Sequence, residues 1–212
     1  MGLRERKKER TRTALIDAAL ELFLSKGYEA TTVDQIAARV DVSPRTFFRY
    51  FASKEEIPLS LAAEQHEHLL AELRGRPDGE PPFTALLEAM ESMLGTLRGL
   101  DDTEAARFLQ TQELIHGTPA LVSAYLRLIS DNERMLVAEV ARRQGTEPGE
   151  LHPRFVVSLF TGLGLMCFGR DPEDVAVITQ RFDQLRALAE GSLRPGWDMP
   201  ARPSAEEAEP VR

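Results

Sequence analysis

The stretch Thr31-Thr32-Val33-Asp34-Gln35-Ile36-Ala37-Ala38-Arg39-Val40-Asp41-Val42-Ser43-Pro44-Arg45-Thr46-Phe47-Phe48-Arg49-Tyr50-Phe51 reads as two short helices around a tight turn. Thr31 and Thr32 offer an N-cap to a helix over Val33 to Val40, with Ile36, Ala37 and Val40 on its inner face. After the break at Asp41-Val42, Ser43 is placed to cap a second short helix. That helix opens on Pro44, where a missing N–H costs nothing, and runs to about Phe51.

Upstream, Ile16, Ala19, Leu20 and Phe23 recur at helical spacing, and Gly27 ends a first helix that starts near Arg6. Two short helices supported by a longer one describe a helix-turn-helix, whose last helix enters the major groove of DNA. Downstream, Ser53-Lys54-Glu55-Glu56 has the spacing of a capping box, so a fourth helix is expected from there to about Arg74. Pro58 falls in its early interior and predicts a kink.

The remainder repeats apolar helical stretches between Gly, Pro and acidic breaks. Gly75 to Pro82 is a loop by composition, and helices are expected at about 83–99, 102–116, 118–144, 153–169 and 172–194. Thr118-Pro119 and Asp171-Pro172 are cap-plus-first-residue pairs. The fold class is all-α with about nine helices. Residues 1–55 form a three-helix reading domain, 56–194 a larger helical domain, and 195–212, without periodicity, a disordered tail.

The net charge of −8 is unequally divided. Residues 1–54 hold 11 Lys+Arg against 7 Asp+Glu, a net of +4, whereas residues 55–212 hold 15 against 27, a net of −12. All four lysines, Lys7, Lys8, Lys26 and Lys54, lie in the first part. A basic head on an acidic body offers one end to phosphate and repels it with the other. Phe47 and Phe51, four apart, bury on one face of the third helix and leave Arg45, Arg49 and the Tyr50 hydroxyl outward.

Arg45, near the helix start, suits a bidentate contact to guanine, and Thr46 a thymine methyl or a phosphate. Lys54 adds charge near the backbone, and the caps Thr32 and Ser43 with Pro44 flank the groove. Together with Phe48, Arg49 and Tyr50 these are the expected DNA-binding residues. The basic run Arg4 to Arg12 either reaches the flanking minor groove or lies solvated ahead of the helix.

The segment from Arg12 to Ile57 resembles the DNA-binding domain of the TetR family. Ala18-Ala19, Phe23, Gly27-Tyr28, Thr31-Thr32-Val33, Ile36-Ala37, Val42-Ser43, Thr46, Phe51 and Ser53-Lys54 all stand at that family's spacing. Asp41 and Arg45 replace its usual glycines, and Phe48 and Tyr50 stand where most members have tyrosine and histidine. Phe48 has no hydroxyl to give a phosphate. The resemblance implies a ligand-responsive repressor of palindromic operator DNA, acting as a homodimer in the cytoplasm. It also implies a small-molecule pocket in the larger domain and dimerisation through the last two helices.

Those helices carry Phe155, Val156, Leu159, Phe160, Leu163, Val175, Ile178, Phe182, Leu185 and Leu188, more apolar surface than a lone hairpin covers. Gly162 and Gly164 permit close helix approach. For the pocket, the ligand-binding candidates are Met90, Met93, Leu94, Leu97, Phe108, Leu109, Gln112, Tyr125, Leu128 and Phe160, any of which serves equally as core. The stretch Gln112 to Leu121, Arg142-Arg143 and the third helix are similar to a TetR subgroup with acyl-CoA-like ligands, which implies an apolar or acyl-type effector.

No stretch reaches 18 uninterrupted apolar residues, and the charged start does not lead into a signal-type segment. Cys167, the single cysteine, sits in an apolar run as a buried hydrophobe. Enzyme chemistry is not indicated: Glu113 and His116 have a di-iron spacing without a second pair. His66 and His68, two apart on a helix, project away from each other, so the histidines read as surface or satisfied core. Neither metal nor cofactor is expected. The alternative is a helical small-molecule-binding or protein-interaction module that makes no use of DNA.

Overall fold

A computed structural model describes residues 2–168 and 174–199. Nine α-helices occur among them: α1 Leu3–Lys26, α2 Val33–Arg39, α3 Pro44–Phe47, α4 Glu56–Gly75, α5 Pro82–Arg98, α6 Asp102–Gly117, α7 Pro119–Gln144, α8 Leu151–Phe168 and α9 Val175–Ser192. Local chemistry sets most ends. Thr32 and Gln35 cap α2 reciprocally, Asp101 accepts from the Thr103 and Glu104 N–H groups at 2.9 Å, and Gly27 and Gly145 end α1 and α7 at positive φ. Asp171-Pro172, expected to open the last helix, lies outside the described residues; Asp174 caps it, accepting from Ala176 N–H at 3.0 Å.

Two helix boundaries and one expected kink depart from the sequence reading. α3 stops at Phe47, and residues 48–50 continue as a turn in which Tyr50 N–H donates to Phe47 O at 2.8 Å. The Ser53 capping box does not form: α4 begins at Glu56, whose carboxylate accepts from Ala52 N–H at 2.7 Å. Pro58 is therefore third in its helix, among the residues whose N–H has no intrahelical acceptor, and the expected kink loses its cause.

Two apolar cores result. The larger joins α4, α5, α7, α8 and α9 through Leu73, Leu86, Leu94, Val140, Val156, Phe160, Ile178 and Phe182. The smaller holds Leu15, Ala19, Phe23, Ile36 and Phe47 of the first three helices and Phe51 after them, closed by Ile57 from α4 and Leu121 from α7, the latter 0% exposed. Cys167 is buried, which pushes its thiol up to about 11. α8 has a mean hydropathy of 1.4 over 18 residues, enough by length and composition alone to cross a membrane. Its Val156, Val157 and Phe160 nonetheless pack into the larger core.

Two long-range polar contacts staple the base of this bundle. The guanidinium of Arg143 is fully buried; it donates to the carbonyls of Pro77 and Arg76 at 3.0 Å, to that of Leu73, and to Glu139 at 3.1 Å. Those carbonyls belong to the last turn of α4, its C-cap Arg76 and the residue after it; Leu73 O also accepts from Arg76 N–H at 3.3 Å and Pro77 O from Glu80 N–H at 3.1 Å. Residues 195–199, expected to be unstructured, instead fold back. Trp197 stacks edge-on against Phe83 and Phe155, and buried Asp198 accepts from Phe83 N–H at 2.9 Å. α5 opens Pro81-Pro82 without a capping side chain of its own, so Asp198 supplies the cap. Gln144 donates to Asp198 O at 2.6 Å, and His152 Nε2 lies 3.0 Å from Trp197 O.

Replacing Arg143 with Met takes one donor each from Glu139, which keeps Arg142 at 2.8 and 3.0 Å, and from the carbonyls of Leu73 and Pro77, which keep backbone donors, and leaves the carbonyl of Arg76 without its side-chain donor. Urea denaturation should show a loss of about 1–3 kcal/mol. Arg142 and Arg143 hold the Glu139 carboxyl below its ordinary value of 4.5, Arg142 by the larger hydrogen-bonding effect. The share that Arg143 supplies is thus complete above that pH and vanishes as pH falls through the lower folded-state value, so the part of the wild-type advantage that comes from Glu139 should be lost in acid.

Candidate nucleic-acid interface and effector cavity

Ser43 caps α3, accepting from Thr46 N–H at 3.1 Å, and its hydroxyl lies 2.9 Å from that of Thr46. Phe47 and Phe51 anchor the inner side, with ring centroids 5.7 Å apart. Arg45 and Arg49 are exposed. Arg49 donates to the Tyr50 hydroxyl at 3.3 Å and lies over that ring. Burial raises the Tyr50 pKa, but hydrogen bonds from Arg49 and Thr11 and the charges of Arg49 and Lys8 outweigh it and leave the phenol below its ordinary value.

The basic run is not a loose arm: residues 4–10 are exposed positions on the first turns of α1. Arg4, Lys7, Lys8 and Thr11 share one concave surface with Arg49 and Tyr50. Phe48, 57% exposed, also faces solvent although it can offer no hydrogen bond. The turn before α3 needs a left-handed residue, and Asp41 takes it at φ 55°; a short polar side chain tolerates that geometry at a cost glycine avoids.

Lys54 departs from its expected position at the phosphates. Its ammonium donates to Tyr28 O at 2.9 Å and Thr31 O at 3.1 Å and lies 4.3 Å from the centre of the Tyr28 ring. It ties the α1–α2 turn to the start of α4. Thr32 is likewise occupied, capping α2.

In the larger domain a cavity of about 70 Å³ lies between α4, α5, α6, α7 and α8. Met90, Met93, Gln112, Tyr125 and Phe160 of the expected ligand residues line it. Leu94 is plain core. Leu97 and Phe108, with Met93, face a second, more open groove of about 470 Å³ between the two domains. Ion pairs span the domains there, Arg12–Glu64 at 2.7 Å and Arg107–Asp17. Leu109 and Leu128 are half-buried outside both spaces.

The cavity also takes residues that periodicity did not single out: Gln65, His66, Asn132, Thr161 and Gly164. His66 is neither surface nor satisfied. Its Nδ1 is buried without a hydrogen-bond partner, and burial lowers its pKa. No cluster of three or more His, Cys, Asp or Glu able to hold a metal ion occurs among the described residues.

Of the apolar residues read as an interface on the last two helices, Val156, Phe160, Ile178 and Phe182 are spent inside the protomer. Phe155 and Leu188 remain more than half exposed, and Leu165 and Met166, not foreseen, join them at 52% and 58%. On α8 positions 155, 159, 162 and 166 share one helix face.

Comparison with known proteins matches both the head and the larger helical part. The family described as bacterial regulatory proteins, tetR family, matches residues 15–61, and the MftR C-terminal domain matches residues 80–190. The HTH-type transcriptional regulator TcmR of Streptomyces glaucescens is 41% identical over 201 residues, covering 92% of this chain and 87% of TcmR. The putative mycofactocin biosynthesis transcriptional regulator MftR of Mycobacterium tuberculosis is 29% identical, over 77% of this chain and 80% of its own. Among solved structures, NalD, the secondary repressor of the MexAB-OprM multidrug efflux pump in Pseudomonas aeruginosa, shares the fold with a TM-score of 0.57. It is 23% identical, over 88% of this chain and 99% of that one.

Because Lys54 is spent on internal carbonyls, Lys54→Met should lower stability by about 1–3 kcal/mol in chemical denaturation. The slope of log affinity for DNA against log salt should stay unchanged; a phosphate contact would instead reduce it by about 0.9.

Proposed function

The chain belongs to the TetR family of DNA-binding transcriptional regulators, and we propose that it is a homodimeric cytoplasmic repressor released from a palindromic operator by a small apolar effector. On this reading residues 1–55 read DNA, residues 56–194 bind the effector and dimerise, and each protomer sets α3 into one of two successive major grooves. Arg45 contacts base edges. Arg49, Tyr50 and the first turns of α1 contact the phosphates beside them.

The observation that carries the ligand response is that single helices touch both the head's core and the cavity. α7 places Leu121 in the smaller core and Tyr125, Ile129 and Asn132 on the cavity wall. α4 does the same with Ile57 against Ala62, Gln65, His66 and Leu69, and α6 with Leu114 against Gln112. An effector that prefers a different spacing of these helices shifts the head with them, and the shift is limited to its differential affinity for the two states.

Dimerisation uses the outer face of α8 and α9. Phe155, Leu165, Met166 and Leu188 leave an apolar stripe for which a second copy, forming a four-helix bundle, is the fitting cover.

Arg45→Ala should cost about 1–3 kcal/mol at one operator position and relax base preference there, measured by gel shift against single-base operator variants. Equal loss on every sequence would make Arg45 a phosphate contact. Leu188→Glu, paired with Met166→Glu, should yield a folded monomer in analytical ultracentrifugation that no longer binds the two-half-site operator cooperatively. A variant that stays dimeric would move the interface elsewhere.

A further inference from the structure

The cavity between α4, α5, α6, α7 and α8 has a chemical character that narrows its ligand. Gln112 and Asn132 are 4% and 7% exposed, both lie on its wall, and the amide oxygen of each is buried without a hydrogen-bond partner. His66 Nδ1, on the same wall, is in the same condition. Three unmatched polar atoms facing one small space are costly in a folded protein, where a buried acceptor without a donor destabilises by about 1–3 kcal/mol. They are explained if the space is built to be filled by something that carries the missing groups.

The rest of the wall says what else that molecule is. Leu69, Met90, Met93, Leu136, Phe160 and Leu165 make it mainly apolar. Among the described residues lining it there is no Lys, Arg, Asp or Glu, and the one histidine is biased by burial toward its neutral form. A carboxylate or phosphate would find no counter-charge, and a cation no anion; burying either uncompensated is strongly unfavourable. A hydroxyl, in contrast, donates to an amide oxygen or imidazole nitrogen and also accepts from an amide turned the other way, so it satisfies each of the three groups.

At about 70 Å³ the space is smaller than the roughly 150 Å³ cavity that admits a benzene ring, so a ligand must widen it. The unbranched side chains of Met90 and Met93 on α5 can swing, and opposite Met90 the α8 wall is thinned by Gly164, where an added Cβ would stand 3.6 Å from the methionine methyl.

We propose that this cavity takes a neutral, mainly apolar molecule bearing two or more hydroxyl groups, held by Gln112, Asn132 and His66. The inference rests on the reading of the cavity as the effector site. It goes further in naming the ligand's chemistry and the three polar groups that select it.

The test uses the full chain and three probes: 2,6-dihydroxynaphthalene, naphthalene and lauroyl-CoA. Binding is read by calorimetry and thermal shift, and DNA release on a duplex that the protein itself selects from a randomised library. Dihydroxynaphthalene should bind at least tenfold more tightly than naphthalene and raise the melting temperature. Asn132→Leu and Gln112→Leu should each weaken that probe about tenfold while leaving naphthalene unchanged or tighter, and without lowering the melting temperature of the unliganded protein. Gln112→Met serves as a second, less space-changing variant.

Tighter binding of lauroyl-CoA than of the diol overturns the proposal. So does absence of diol binding, equal affinity for diol and naphthalene, or a variant that unfolds because its amide was structural. If lauroyl-CoA alone releases the DNA, the ligand chemistry fails and the regulator reading stands. If the diol binds as expected but none of the three probes affects DNA, the cavity assignment stands and the effector reading fails.

Discussion

The head of this molecule does not own its core. Leu121, at the start of α7, is fully buried among Leu15, Phe23, Ile36, Phe47 and Phe51, a burial worth about 1.5–3 kcal/mol. Helix α7 then runs on through the cavity wall to Arg143, which ties off the end of α4. Packed interiors are close to incompressible, so the start of α7 and the reading head cannot be displaced independently by more than small amounts. Communication between cavity and DNA surface in this chain needs no special wire: it is a consequence of three helices having residues in both places. The ion pairs Arg107–Asp17 and Arg12–Glu64 add orientation across the groove, but exposed pairs of this kind contribute little energy.

How much of this was legible depended on the range of the interaction concerned. Helix count, and most ends to within a residue or two, follow from local signals: Pro119 at a first position, Gly27 and Gly145 after last ones, the Thr32–Gln35 box. Where the signal was local but ambiguous, reading failed. Ser53 through Glu56 has the right letters for a capping box, but Glu56 pairs with Ala52 N–H instead, and the helix begins two residues later than the cap implied. That shift also removes the reason for a bend at Pro58.

The site was half legible for a related reason. Apolar periodicity marks a helix face that turns inward, and Met90, Met93, Tyr125 and Phe160 do line the cavity. It cannot distinguish a face meeting a void from one meeting another side chain, so Leu94 looked equivalent and is core. Polar residues in the wall carry no periodic signal at all. Asn132 and His66 look like ordinary helix-surface residues in the sequence, and only their burial without partners reveals them. Lys54 shows the converse: its charge and position suggested phosphate, yet its stem is long enough to reach two carbonyls 23 and 26 residues earlier.

The cap that Asp198 gives to α5 joins residues 115 positions apart. A nascent chain leaving the ribosome therefore meets its closure points in sequence: the head is sealed only once Leu121 has emerged, and the bundle base only with Asp198. At translation speeds of roughly 5–20 residues per second, the interval is about 4–15 s. During it a completed reader hangs beside a bundle whose α5 still lacks its N-terminal partner. Any chaperone that attends this protein has most to shelter in that window, and on the apolar stripe of α8 rather than on the head.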